Sequence, residues 1–180
     1  MGRIVSNFFI SLDGVVEAPD QWHFPYFDDE MGAIIGSGME TQGAFLLGRR
    51  LYDEWSEYWT GNTDEDGFGP YINNLQKYVL THRPIGEAPW KNTTAITDDH
   101  IAGVQAVKDT TEGDIGMAGC ATTVRWLIAN GLLDELALLV HPIAVAKGQR
   151  LFEDTGQVPL KLEHSSTLSS GVLHVRYSLA

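Results

Sequence analysis

Up to residue 131 the chain alternates strand-like and helical segments, and this rhythm restricts the fold more than any other feature. Strand signals fall at residues 3–11, 44–48, 77–81, 93–97, 114–118 and 135–142. Helical spacing of apolar side chains marks 27–42, 50–59, 98–108 and 121–130, with Asp98 a candidate N-cap and Gly131 placed for a left-handed C-terminal cap. In 27–42 the apolar positions are Met31, Ile34, Ile35 and Met39, although Gly32, Gly36 and Gly38 weaken a helix by about 1 kcal/mol each. Strands separated by helices pair in parallel through crossovers, whereas the last fifty residues lack helical spacing. There, 160–163 and 173–177 alternate apolar and polar residues around Ser170-Gly171, which predicts an antiparallel hairpin with a two-residue turn. The expected fold is α/β: a mixed, mostly parallel sheet with helices on both faces and an antiparallel C-terminal edge. Residues 61–69, with Asp64, Glu65 and Asp66, read as a solvated loop.

At 180 residues and 43% hydrophobic content, the chain suits one domain spanning 1–180. The net charge of −12 opposes a polyanionic partner, so nucleic acid is not expected. Residues 136–146 form the longest apolar run, interrupted by His141 and Pro142 and far short of the roughly 18–20 residues that span a bilayer. No membrane segment is expected. Cys120 is the single cysteine, and no charged-then-apolar leader precedes the first strand signal; both fit a reducing, cytoplasmic setting.

Against this acidic background, cations at strand ends stand out. Ala44-Phe45-Leu46-Leu47 stops at Gly48-Arg49-Arg50 and then becomes helical, a second strand ends at Thr81-His82-Arg83, and a third leads through Gly119-Cys120-Ala121-Thr122-Thr123 into a helix. Ligands of open α/β sheets bind beyond the carboxyl ends of parallel strands, where helix N-termini offer N–H donors to phosphate. The three corners therefore predict a shared anion-binding rim. A competing reading pairs Arg49 and Arg50 with Asp53 and Glu54 one helical turn on.

These segments fall in the order and spacing of a known family. Ser11-Leu12-Asp13-Gly14, Leu47-Gly48-Arg49-Arg50-x-Tyr52, Lys77-Tyr78-Val79-x-Thr81, Gly119-x-Ala121-Thr122, Gly131-Leu132-Leu133-Asp134-Glu135-Leu136 and His141-Pro142 before Gly148-x-x-Leu151-Phe152 carry the likeness. The chain resembles the dihydrofolate-reductase-like superfamily, in particular the reductase domain of the bifunctional riboflavin-biosynthesis deaminase-reductase. The resemblance implies an NADPH-dependent reductase, often a homodimer, acting on a small heterocyclic substrate such as a pterin or a ribosylaminouracil phosphate. It implies that Gly48, Arg49 and Arg50 face the adenine-side phosphates, that Thr81, His82 and Arg83 lie near the 2′-phosphate, and that Gly119, Cys120, Ala121 and Thr122 pass the diphosphate and nicotinamide. Asp13 and Gly14 would turn the chain into a mobile loop over that ring. Asn7 and Ala118 stand where the riboflavin reductase pattern places a Lys and a Glu. A nucleotide-binding module that keeps the fold without turnover is the alternative.

Hydride transfer requires a proton. Trp22-x-x-Pro25-x-x-Asp28 resembles the stretch that brings a carboxylate into the dihydrofolate reductase pocket, so Asp28 is the first candidate acid and Asp13 the second. A competing reading places Asp28, with Asp29 and Glu30, in a helical first turn, where acidic residues are favoured by the helix dipole alone. His23 lies between aromatic residues, His141 precedes a proline, and the histidine spacing matches no metal motif, so no metal is expected. Cys120 at a helix start is a candidate low-pKa thiol. Trp55, Tyr58 and Trp59 share a helix and can pack a core, cover a dimer surface or wall a flat ligand.

Overall fold

The computed structural model describes residues 1–61, 67–86 and 89–180. Its strands are β1 (Ile4–Ser11), β2 (Gln42–Gly48), β3 (Gln76–Leu80), β4 (Thr93–Ile96), β5 (Asp114–Ala118), β6 (Glu135–His141), β7 (Leu160–Thr167) and β8 (Leu173–Leu179). They form one sheet in the order β4-β3-β2-β5-β1-β6-β8-β7. The first six are parallel to one another, and β8 runs antiparallel to both β6 and β7. The helices are α1 (Asp29–Thr41), α2 (Arg49–Thr60), α3 (Phe68–Asn74), α4 (His100–Thr110) and α5 (Ala121–Ala129).

The mixed sheet and its antiparallel edge match the sequence expectation; three local details do not. The N-cap of α4 is Asp99, which accepts from Ala102 N–H at 3.0 Å, one residue beyond the expected Asp98. The β7–β8 turn holds three residues, because Leu168 N–H donates to Val172 O at 2.8 Å and Gly171 N–H to Leu168 O at 2.9 Å, with Gly171 at φ +84°. Of the expected loop at 61–69, residues 62–66 lie outside the described residues, while Phe68 and Gly69 open α3. The overlooked signal was Phe68, Tyr71, Ile72 and Leu75 at helical spacing.

Packing on the two faces explains where space remains. Strand side chains alternate between faces, and on one side Ile4, Leu46, Ile115 and Met117 meet Val104 and Val107 of α4 and Val124 and Leu127 of α5 in one continuous core. The opposite face carries two separate cores. Phe45, Leu47 and Val79 pack under Tyr52 of α2 and Ile72 of α3, while Leu139 and Phe9 pack under Met31, Ile34 and Ile35 of α1. Between them the sheet offers only the small side chains of Ala118 on β5 and Ala137 on β6, while the space over Gly116 is filled by the Gln42 side chain. A cleft results.

The far end of the sheet is closed by charge. Glu135, 5% exposed, receives Arg3 Nη2 at 2.6 Å and a bidentate Arg176 at 2.5 and 2.7 Å. Beside it, Lys108 Nζ lies 2.6 Å from Asp134.

Candidate functional site

The sheet brings the three expected corners together. β2 lies between β3 and β5, with Gly48 in register with Leu80 and Phe45 with Gly116, so the C-terminal ends of these strands share one rim. Gly48 is the N-cap of α2 and Cys120 the N-cap of α5, and Gly48 N–H donates to Cys120 Sγ at 3.3 Å, joining the two helix starts. Their caps differ from those of α1 and α4 and resemble that of the short α3, whose N-cap is Gly67. Asp28 caps α1 and Asp99 caps α4 through side-chain carboxylates, whereas α2 and α5 have no side-chain cap and no acidic residue in the first turn. First-turn N–H groups have no intrahelical partner, so a carboxylate cap satisfies and neutralises such an end and its lack leaves donors and positive potential for an anion. The backbone also comes close: a β-carbon on Gly48 would collide with Thr123 Oγ1, and Gly119 turns from β5 into α5 at φ +63°.

Arg49 sits differently from the expectation. Its Nε donates to both oxygens of Asp53 at 2.8 and 2.9 Å, and Nη1 donates to the carbonyls of Arg83 (3.2 Å) and Pro84 (2.7 Å). It holds the loop after β3 in place. Thr81 is buried and closes the same turn, donating to Arg83 O at 2.9 Å and accepting from Arg83 N–H at 3.1 Å. His82 and Arg83 are exposed at the loop tip, the His82 ring lying 4.5 Å from that of His100. Arg50, also exposed, faces Glu54 at 3.6 Å, so both pairings of the competing reading form. Ala121 is buried, and Thr122 Oγ1 accepts from Gln149 Nε2 at 3.3 Å.

Both candidate acids are built into the backbone. Asp13 accepts from Ser11 Oγ at 2.6 Å and from Val145 and Ala146 N–H at 3.0 and 2.8 Å. Those bonds, with the Ser11 hydroxyl first, bring its pKa down to about 2. They staple the turn after β1 to residues 145–146, and Val16 N–H on Gln149 O at 2.9 Å adds a second tie, so the segment expected as a mobile loop is anchored. Asp28 accepts from Met31 N–H at 2.8 Å and Ser170 N–H at 3.3 Å, and these bonds lower its pKa. It is absent from the cleft lining. Both groups are carboxylates at neutral pH, which suits fastening and not proton donation.

The cleft between α1 and α2 has a volume of about 890 Å³. Phe9, Phe45, Ala118, Ala137 and Leu139 form its floor, Ile34, Ile35 and Met39 one wall, and Arg50, Leu51, Glu54 and Trp55 the other, continued by Trp59 and Phe68. Val16 to Asp20, Gly119 and Gln149 surround the mouth next to the rim. His23 also lines it, stacked on Phe9 at 4.3 Å, with Nδ1 buried and lacking a hydrogen-bond partner; burial, then the neighbouring His141, lower its pKa. Sequence reading left His23 as packing or surface and missed Gln149 and His174, which no local motif separates from ordinary loop and strand residues.

Cys120 departs from the reactive-thiol reading. Burial pushes its thiol up to about 11, outweighing the Gly48 N–H and the Arg50 charge. A disulfide reagent at pH 7.5 is therefore expected to modify the folded protein at least about 100-fold more slowly than the unfolded chain. Equal rates, followed by thiolate release, would refute the buried assignment. Among the described residues, no group of three or more His, Cys, Asp or Glu side chains is arranged to hold a metal ion, and no helix is long and apolar enough to cross a membrane.

Comparison with known proteins bears on the same geometry. The RibD C-terminal domain family matches residues 3–174. The uncharacterized protein YyaP of Bacillus subtilis (strain 168) is 29% identical over 180 residues, covering 97% of this chain and 94% of its own. Among solved structures, a putative riboflavin biosynthesis protein from Shewanella sp. PV-4 superposes with a TM-score of 0.79 at 14% identity, covering 99% of each chain. Dihydrofolate reductase from Enterococcus faecalis, complexed with NADP(H) and RAB-propyl, superposes with a TM-score of 0.63 at 16% identity, covering 99% of this chain and 96% of that one. At such identities the structural likeness speaks to the fold, which is dihydrofolate-reductase-like.

Proposed function

The chain belongs to the RibD C-terminal domain family, and from that premise we propose that it is an NADPH-dependent reductase transferring hydride to a small planar substrate in the cleft between α1 and α2. One observation carries the reading: the two helix starts joined at Gly48 and Cys120 both lack a side-chain cap, and they open beside the cleft at the rim where the exposed Arg83 stands. The residues fit a dinucleotide. The N–H groups after Gly48 and Gly119, with the Thr122 hydroxyl, hold the diphosphate, and His82 and Arg83 hold the 2′-phosphate. Arg50 faces the adenine side. Arg49 and Thr81 act as positioning residues, Arg49 fixing the carbonyls of Arg83 and Pro84 so that the loop tip points at the ligand. NADPH supplies the hydride. Asp13 anchors the turn that closes the mouth, Asp28 caps the helix that forms one wall, and the accompanying proton comes from solvent beside His23 and Gln149.

Titration with NADPH and NADH, followed by nicotinamide fluorescence, tests the reading. Arg83→Ala is expected to reduce the preference for NADPH over NADH by roughly tenfold, the weight of one charge-assisted contact. Arg49→Ala is expected to weaken both dinucleotides and to lower the melting temperature, because it frees the loop and strands Asp53. An unchanged preference in Arg83→Ala removes the 2′-phosphate assignment. The commitment of Asp13 and Asp28 to backbone bonds favours a second reading, in which the dinucleotide is bound without turnover; it predicts saturable NADPH binding with no oxidation by any acceptor.

A further inference from the structure

We propose that the cleft selects an uncharged, planar, largely apolar carbonyl compound and rejects phosphorylated or carboxylated ones; this substrate class rests on the reductase reading above. The argument starts from charge. An anion leaving water must find cations or several donors in exchange for its hydration. Among the described residues lining the cleft, Arg50 is the one Lys or Arg, and it is exposed and faces Glu54 at 3.6 Å. Glu17 and Asp20 add negative charge at the mouth, and residues 62–66 and 87–88 include no Lys or Arg in sequence. Inside the cleft a substrate's phosphate therefore finds no unpaired cation among the described residues to replace its water, and the carboxylates of Glu17, Asp20 and Glu54 oppose it.

The walls define what does fit. Phe45 and Trp55 lie 5.8 Å apart and tilted by 31°, and Trp55 meets Phe68 edge-on at 5.4 Å and 82°. Trp55 is thereby braced on two sides, opposite the aliphatic Ile34 and Ile35 of α1. A flat ring system slides between such walls with little loss of side-chain entropy. Orientation falls to neutral groups on the floor. Asn7 lies two residues from Phe9 on β1, and His174 is in register with Leu139; burial, then the nearby His164, lower the His174 pKa, so both offer hydrogen bonds without charge. In the reaction the carbonyl carbon accepts hydride with its electron pair, the C=O π pair moves to oxygen, and oxygen takes a proton from water. The carbonyl is reduced to an alcohol and NADPH is oxidised to NADP⁺.

The experiment uses the full chain saturated with NADP⁺ and follows tryptophan fluorescence during titration with 2-naphthaldehyde or with 5-amino-6-(5-phosphoribosylamino)uracil. Reduction of each with NADPH is measured in parallel. Naphthaldehyde is expected to quench saturably, to bind at least tenfold tighter than the phosphorylated pyrimidine, and to be reduced faster. Trp55→Ala is expected to weaken naphthaldehyde binding by about tenfold while NADPH affinity, read separately, reports that the variant is folded. Tighter binding of the phosphorylated compound, or NADPH binding with no response to naphthaldehyde, overturns the substrate class and leaves the dinucleotide reading standing. Naphthaldehyde binding in a protein that fails to bind NADPH supports the cleft's selectivity and removes the reductase reading instead.

Discussion

Gly48→Ala is expected to lower dinucleotide affinity at least tenfold and to destabilise the fold by about 1–3 kcal/mol, the usual range for forcing an extra carbon into a packed site. The added β-carbon would overlap Thr123 Oγ1 and sit 3.6 Å from Cys120 Sγ, between the starts of α2 and α5. Gly48 has φ −79° and ψ 156°, ordinary extended values, so the backbone tolerates alanine and the effect is steric. Relief requires the Thr123 hydroxyl to turn or the two helix starts to part, and either change disturbs the N–H groups aimed at the ligand. Gly36→Ala is the matching control. Its β-carbon would meet nothing within 4 Å, and inside α1 alanine is favoured over glycine by about 0.5–1 kcal/mol. NADPH titration with thermal melting distinguishes the two variants. Wild-type affinity in Gly48→Ala would remove the rim from the binding site.

Glu135→Ala carries the largest expected stability loss, about 2–3 kcal/mol. The carboxylate ties β6 to β8 through Arg176 and to the residue before β1 through Arg3, two guanidiniums that form no other ion pair among the described residues. Full burial of both arginines would place the cost at the top of the range for a broken buried pair; their side chains are 51% and 42% exposed, so water recovers part of it. The pH dependence has a definite sign. Burial pushes the Glu135 pKa up, but the Arg176 and Arg3 hydrogen bonds outweigh it and leave the pKa below its ordinary 4.5. A carboxyl depressed on folding stabilises fully above its unfolded pKa and loses that contribution as pH falls through the folded value. Wild type should therefore lose stability as pH drops below about 4.5, and Glu135→Gln should flatten the upper part of that fall. Asp13, held at about 2, acts with the same sign lower on the scale, and its share remains in the Glu135 variant. Urea melts between pH 7 and pH 2.5 test both; parallel curves for wild type and Glu135→Gln would refute the assignment.

Particular elements show how far sequence reasoning reaches. β5 and β6 are short continuous apolar runs buried on both faces, a local signal, so they were legible almost to the residue. Gly131, at φ +64° with Leu132 N–H on Leu127 O at 2.9 Å, closes α5 as its position implies. α1 forms despite three glycines because Asp28 caps it and Met31, fully buried, anchors it. Burial offsets what propensity takes away.

The side-chain roles at the site were less legible, since partners distant in sequence set them. Besides the neighbouring Ser11, Asp13 finds backbone donors 132 and 133 residues away, and besides Met31, Asp28 finds Ser170 142 residues away. Arg49 meets its local partner Asp53 but is committed by carbonyls 34 and 35 residues on. What the sequence alone determined was the order of strands and helices, the hand-over to an antiparallel edge, and the placing of glycine and cations at three strand ends, because these depend on periodicity and turn chemistry within a few residues. Tertiary structure alone decided that two of those corners are joined helix starts without caps, that the candidate acids are fasteners, and that small side chains on β5 and β6 open a cleft. Hydrogen-bond satisfaction and desolvation depend on which groups the folded sheet brings within about 3 Å, and no local pattern encodes that distance.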